Sequence, residues 1–254
     1  MLVNMEQLQE EIMRQLLRAA ETEKPSKLKD LKKYIGTQNN FIGLSVPSLR
    51  AVFKTGFSFN HLPPRQQIKI WDHLWKTSRH YEIMSMALSF VSKNLPAFEA
   101  ADTWEIVKSW ATQVDNWAHS DGLSSIYSRL LEKEHELIYT QYKLWNTSSN
   151  PWERRQSIVG LLYYSSIKKA NMSFEKLQQM VSGLITDENY FVQKGVGWTL
   201  REIGNIYPAE TLAYLNEQIT AIRPPAFTAA IEKLDAANKD RLKQLRKANK
   251  KGAR

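Results

Sequence analysis

Three short segments concentrate the side chains that could do chemistry. In Val114-Asp115-Asn116-Trp117-Ala118-His119-Ser120-Asp121, a helix beginning near Asn116 puts Trp117 and Asp121 four residues apart on one face, pairing an aromatic wall with a carboxylate. Asp115 and Asn116 read as capping residues that satisfy free backbone N–H groups. Asp121 lies at least one turn inside the helix, too far along to cap it, and a poor helix former there needs another reason. His119 with Asp115 and Asp121 makes one imidazole and two carboxylates without further ligand spacing, so no metal is expected. In Pro151-Trp152-Glu153-Arg154-Arg155-Gln156, two guanidinium groups stand at a helix start, where cations oppose the macrodipole. Either an anion such as phosphate is expected there, or Glu153 answers the pair. In Asn189-Tyr190-Phe191-Val192-Gln193-Lys194-Gly195-Val196-Gly197-Trp198-Thr199-Leu200-Arg201-Glu202, Lys194, Trp198 and Arg201 line up at i, i+4 and i+7. They form either a cationic aromatic face or a core Trp between two snorkelling cations. Each glycine in that run costs about 1 kcal/mol relative to Ala, so its missing side chain should permit close helix packing or make room beside Trp198.

The elements that must position these residues are helical. Met5, Leu8, Ile12, Leu16 and Leu17 follow a helical face after a candidate N-cap at Asn4; Pro25 and Ser26 reset the chain; Leu28, Leu31 and Ile35 resume the spacing before Gly36. No strand alternation appears, and the expectation is an all-α protein of roughly a dozen helices with short turns. Four helical segments start on an aromatic residue, Tyr81, Trp117, Trp152 and Tyr190, at intervals of 36, 35 and 38 residues. Six positions on stand Ala87, Leu123, Ile158 and Val196; ten positions on stand Val91, Tyr127, Leu162 and Leu200. Such a period fits a HEAT-like or armadillo-type α-solenoid of stacked antiparallel helix pairs. Its concave, basic wall is expected three and four residues after each start, at Met84 and Ser85, Ser120 and Asp121, Arg155 and Gln156, Gln193 and Lys194. One domain is expected over residues 1–238. From residue 239 to 254 a helix is expected to fray into a solvated basic tail with hardly an apolar anchor, either solubilising or phosphate-contacting.

Composition narrows the function classes. A chain of 254 residues with 43% hydrophobic and 24% charged residues is globular in type. No run approaches 18 apolar residues and no signal-peptide core is present, so neither membrane nor secretion is expected. The absence of cysteine removes disulfides, thiolate metal sites and cysteine nucleophiles, as suits a reducing cytoplasm. A net charge of +9 favours a polyanionic partner, and eight Trp beside cations suggest a surface that meets bases or sugars.

Taken together, from about residue 28 to 232, these segments resemble the DNA alkylation repair family of HEAT-like-repeat glycosylases. The resemblance rests on residues 193–202, on Trp117 with Asp121, on Trp152 with Arg155, and on Tyr34 followed by Phe41-Ile42-Gly43-Leu44 and Pro47. Trp110 and Asp115 form a second Trp and Asp pair; the four-residue spacing and the place in the repeat select Trp117 and Asp121. Asn116 departs from the family pattern, where a second aromatic can stand. The resemblance implies a monofunctional N-glycosylase that excises cationic N3- and N7-alkylated purines, such as 3-methyladenine and 7-methylguanine, from double-stranded DNA. It implies Asp121 as the catalytic carboxylate, Trp117 and Trp198 flanking the lesion-bearing nucleotide, and Arg155 on the neighbouring backbone. Tyr34 would lie beside the duplex and Arg201 near phosphate, with Arg154 and Lys194 as further DNA-binding cations. No cofactor is implied, and a monomer is expected. A non-catalytic HEAT-like scaffold that binds DNA or protein is the alternative.

Overall fold

The computed structural model describes residues 4–23, 28–162 and 172–252. The turn expected at Pro25 and Ser26, and Arg254 at the C-terminus, lie outside them. Fourteen α-helices, three short 3₁₀ helices and no strand are found among the described residues, with one isolated bridge between Asn40 and His80. The protein is therefore all-α. The chain divides into two compact units, residues 1–126 and 127–254.

In the first unit, α1 (Met5–Ala20) starts where Asn4 Oδ1 accepts from the amides of Glu6 and Gln7 and buries Leu8, Ile12 and Leu16 at four-residue intervals. Next come α2 (Leu28–Ile35) and α3 (Val46–Thr55). Gly36 and Gly56 follow them at φ 80° and 81°, a conformation that favours glycine. The core is carried by α4 (Pro64–Thr77), α5 (Tyr81–Asn94) and α6 (Ala100–Val107). There Trp71, Trp75, Trp104 and Trp110 are fully buried. Trp75 and Trp110 stack at 4.6 Å, and both indole N–H groups find acceptors, Trp110 O at 3.2 Å and Asp72 Oδ1 at 2.7 Å. With Trp145 also buried, five of the eight Trp are core residues; Trp117, Trp152 and Trp198 are half-buried. The high Trp count is thus mostly a packing feature, and only three indoles reach the surface.

Helix α7 (Trp117–Leu131) contains the division between the units. In the second unit, α8 (His135–Trp145), α9 (Pro151–Leu162), α10 (Phe174–Ser182), α11 (Tyr190–Gly204), α12 (Pro208–Glu217), α13 (Pro224–Ala230) and α14 (Ala236–Gly252) complete the chain. The centre of this unit is α11, packed against α9 on one side of the chain order and α13 on the other. A Cβ on Gly197 would stand 2.3 Å from Ala226 O and 2.7 Å from Ala229 Cβ, so the missing side chain lets α11 touch the backbone of α13. At Gly195 a Cβ would meet the Arg155 guanidinium and Val159 at 3.2 Å each. The two glycines therefore serve helix packing and the seating of Arg155.

The four aromatic starts fall at the first or second residue of α5, α7, α9 and α11. All eight residues six and ten positions further on are buried. The expected wall differs in one respect. Met84, Ser120, Arg155 and Gln193, three positions after each start, are buried too, while Ser85 and Asp121 are half-buried, Lys194 is exposed and Gln156 is buried. Helical rotation of about 100° per residue explains the third positions, which fall on the same side as the sixth and tenth, whereas the fourth returns to the side of the aromatic start; Gln156, buried at a fourth position, is the exception.

At the C-terminus α14 continues as helix to Gly252. Leu242 is fully buried, and the Arg246 guanidinium lies 4.6 Å over the Phe227 ring and donates to Ile219 O at 3.3 Å. The expected solvated tail is, over its described part, a helix pinned on one side.

Candidate active site

The start of α7 is a tightly bonded corner of the first unit. Asn116 Oδ1 accepts the His119 amide at 2.9 Å and caps the helix, as its residue type suggests. Asp115 has another task. Its carboxylate accepts from Thr37 Oγ1 at 2.9 Å, from the amides of Gln38 and Asn39 at 2.7 and 3.1 Å, and from Asn116 Nδ2 at 2.7 Å. It ties the segment after α2 to the start of α7. Sequence reasoning missed this role because those partners lie 76–78 positions away. The competing pair is thereby accounted for: Trp110 is sealed in the core and Asp115 is an anchor.

His119 is enclosed. Its ring stacks on Tyr81 at 4.5 Å, with Nδ1 3.0 Å from Asn116 Nδ2 and Nε2 3.1 Å from Tyr81 O. An amide N–H₂ donating to Nδ1 leaves the proton on Nε2, which faces both Ser85 Oγ at 3.0 Å and the Tyr81 carbonyl, so the imidazole is neutral. Burial pushes its pKa down to about 4, against a smaller opposing pull from Asp115. Among the described residues no group of three or more His, Asp or Glu side chains is placed to hold a metal.

Trp117 and Asp121 occupy the same side of α7, one turn apart, and both are half-buried. The Trp117 indole N–H donates to Tyr34 O at 3.0 Å, and the two rings meet edge to face at 5.4 Å. Tyr34 itself is 70% exposed. These two aromatics, with Tyr81, Phe41, Leu44 and Ser85, border a groove of about 670 Å³ in the first unit. The segment at residues 42–43, beside this groove, is held by Glu82, whose Oε1 accepts from the amides of Ile42 at 3.0 Å and Gly43 at 2.7 Å. Burial pushes the Glu82 carboxyl up in pKa, against the lowering by these amides.

The second unit holds the remaining candidates. Trp152 stacks on Phe191 at 5.0 Å, joining the N-terminal turns of α9 and α11 with an exposed Tyr190 alongside. Arg155 is 6% exposed and donates from Nη1 to Phe191 O at 2.7 Å. On α11, Lys194 is exposed, and Trp198 and Arg201 are half-buried, with the Arg201 guanidinium 5.9 Å over the Trp198 ring. Arg201 also pairs with Glu202 and Glu232. Arg154 forms a two-pronged pair with Asp187, at 2.6 and 3.3 Å, and donates to the carbonyls of Ser148 and Ser149. The carboxylates beside Arg154 and Arg201 cancel much of their attraction for a polyanion. Glu153, one of the two expected answers to the arginine pair, instead accepts from Ser148 Oγ at 2.5 Å.

Across residues 13–234 the sequence matches the family model described as DNA alkylation repair enzyme. Among solved structures, a predicted DNA alkylation repair enzyme from Enterococcus faecalis is similar in fold, with a TM-score of 0.71 over 84% of this chain and 97% of that chain at 19% sequence identity. A search of curated proteins returns no match.

Proposed function

Because the chain belongs to the family of DNA alkylation repair enzymes, we propose that it is a monofunctional DNA N-glycosylase that removes cationic N3- and N7-alkylated purines from duplex DNA. The observation that carries this reading is the half-buried Asp121 one turn beyond Trp117 on α7, whereas Asp115, six positions earlier, is spent on structure.

The residue types fit the reaction. Alkylation at N3 or N7 leaves the purine positively charged, so its bond to C1′ can break without a general acid. The bonding pair leaves with the base, which departs neutral, and the sugar becomes oxocarbenium-like. Asp121 stabilises that positive sugar and orients the water that adds to C1′; the proton lost from the water passes to the carboxylate or to solvent. The product is an abasic site and a free base. Trp117 offers a face to the cationic nucleotide, a contact worth roughly 0.5–2 kcal/mol; by the resemblance Trp198 has the same part. Tyr34 lies against the duplex, while Arg155 and Lys194 serve its backbone.

Mass spectrometry of bases freed from methylated duplex DNA tests the reading. Wild type should release 7-methylguanine and 3-methyladenine; Asp121→Asn should abolish release and keep DNA binding. Unchanged release by Asp121→Asn would remove Asp121 from the reaction. No release by wild type from any methylated duplex would favour the binding scaffold.

A further inference from the structure

The net charge of +9 is unevenly placed. Residues 236–254 hold eight of the 35 Lys and Arg and one of the 26 Asp and Glu, a net of +7, which leaves +2 for the other 235 residues. This stretch lies beyond residue 234, where the family match ends. The long-range pull of the molecule on a polyanion therefore belongs to α14 and the last residues of the chain.

Two features decide what α14 can meet. Its apolar side is already used: Leu242 is fully buried, Leu245 and Arg246 are half-buried, and Arg246 covers Phe227. A helix that enters a membrane surface needs that side open to the lipid. The side left outward is cationic. Arg241, Lys243 and Lys247 are exposed; Lys243 has Asp240 at 3.8 Å, an open i,i+3 pair that contributes little. Lys239, Lys243 and Lys247 succeed one another at four-residue spacing, about 6 Å apart along the axis, and Lys239 is held back by its bond to Glu232 O. A helix fastened by Leu242 and Arg246 also presents its cations in fixed positions, so less conformational entropy is lost on binding than from a loose tail.

We propose that α14 is a docked phosphate-contacting helix, which grips the backbone of duplex DNA through Arg241, Lys243 and Lys247 irrespective of sequence and of damage. The inference rests on the reading of the protein as one that works on DNA, but not on its being a glycosylase. It adds a contact that the residues of α7, α9 and α11 do not supply.

The test measures binding of the full chain to a fluorescently labelled undamaged duplex over a range of KCl concentrations. Wild type is compared with the triple variant Arg241→Gln, Lys243→Gln, Lys247→Gln, in which Leu242 and Arg246 are kept so that the helix stays docked. An unchanged thermal unfolding midpoint confirms that it does; a companion variant, Lys243→Arg with Lys247→Arg, keeps the charge and should bind as wild type. The glutamine variant should bind roughly tenfold or more weakly, with the slope of log K against log salt shallower by about 2 to 3. Equal affinity and equal slope would overturn the proposal. So would an unchanged DNA isotherm combined with lost binding to phosphatidylglycerol vesicles, which would assign the helix to a membrane surface. Because undamaged DNA is the probe, failure of base release leaves this result readable, and the two readings fail separately.

Discussion

Asp115 and Asp121 stand six residues apart and have opposite relations to the fold. Asp115 is the acceptor for one hydroxyl and two backbone amides of residues 37–39, and Thr37 is itself buried. Removing the carboxylate leaves these donors without their charged acceptor, and bonds to charged groups are worth about 1.5–3 kcal/mol each before compensation by water. Asp115→Ala should therefore lower stability by about 2–4 kcal/mol, read as a fall in the urea midpoint, and Asp115→Asn should lose less. A midpoint within error of wild type would mean that residues 37–39 are held by something else. Helix position alone separated the two aspartates in the sequence, since only Asp121 lay too deep in α7 to cap it. The anchoring by Asp115 was not legible, because hydrogen bonds across more than 70 residues leave no local pattern.

At the level of helices, the repeat of aromatic starts was the most readable signal, because burial six and ten residues later is a property of each helix by itself. The repeat alone points the third position after each start to the wall as readily as the fourth, although its rotation places it with the core. Buried Gln193 is satisfied on one side only: its N–H₂ donates to Leu184 O at 3.0 Å, while Oε1 is buried without a hydrogen-bond partner. The glycines of α11 were legible as packing residues, and what they pack against became visible only with α13 and Arg155 in place. The contacts rank the two positions. Gly197→Ala sets a methyl against a carbonyl oxygen and a Cβ at less than van der Waals distance, so α11 and α13 must separate, at a cost of about 1–3 kcal/mol or more. Gly195→Ala meets only side-chain atoms, of Arg155 and Val159, at 3.2–3.3 Å, which a shift of a few tenths of an ångström relieves, and should cost less. The two thermal midpoints, compared with wild type, test the order. If Gly195→Ala is the more damaging, the close approach of α11 to α13 is not what Gly197 secures.

For the molecule as a whole, stability and charge respond to different groups. The +9 charge could be read from composition, and its concentration after residue 235 from simple counting. That the basic stretch is docked could not, since Leu242 and Leu245 are too few to mark a buried side, and the partners of Arg246, the Phe227 ring and Ile219 O, come from earlier in the chain. The pH dependence of folding turns instead on buried titratable groups of the first unit. His119 falls from 6.5 in the unfolded chain to about 4 in the native one. Between these values the unfolded chain takes up a proton that the native state refuses, so stability is lost as pH falls from about 6.5 towards 4. Half-buried His80, also lowered by burial, acts in the same direction. Glu82, raised by burial, acts oppositely: its contribution is present below 4.5 and is lost as pH rises through its native pKa. For His119 alone the loss between neutral pH and about pH 5 is on the order of 2 kcal/mol. Urea unfolding at the two pH values should show wild type weaker at the lower one, and His119→Gln, which cannot titrate, should narrow that difference while costing some stability at neutral pH. Should the variant keep the full pH dependence, the proton uptake resides elsewhere, and the enclosed imidazole is not what makes the corner under Trp117 sensitive to acid.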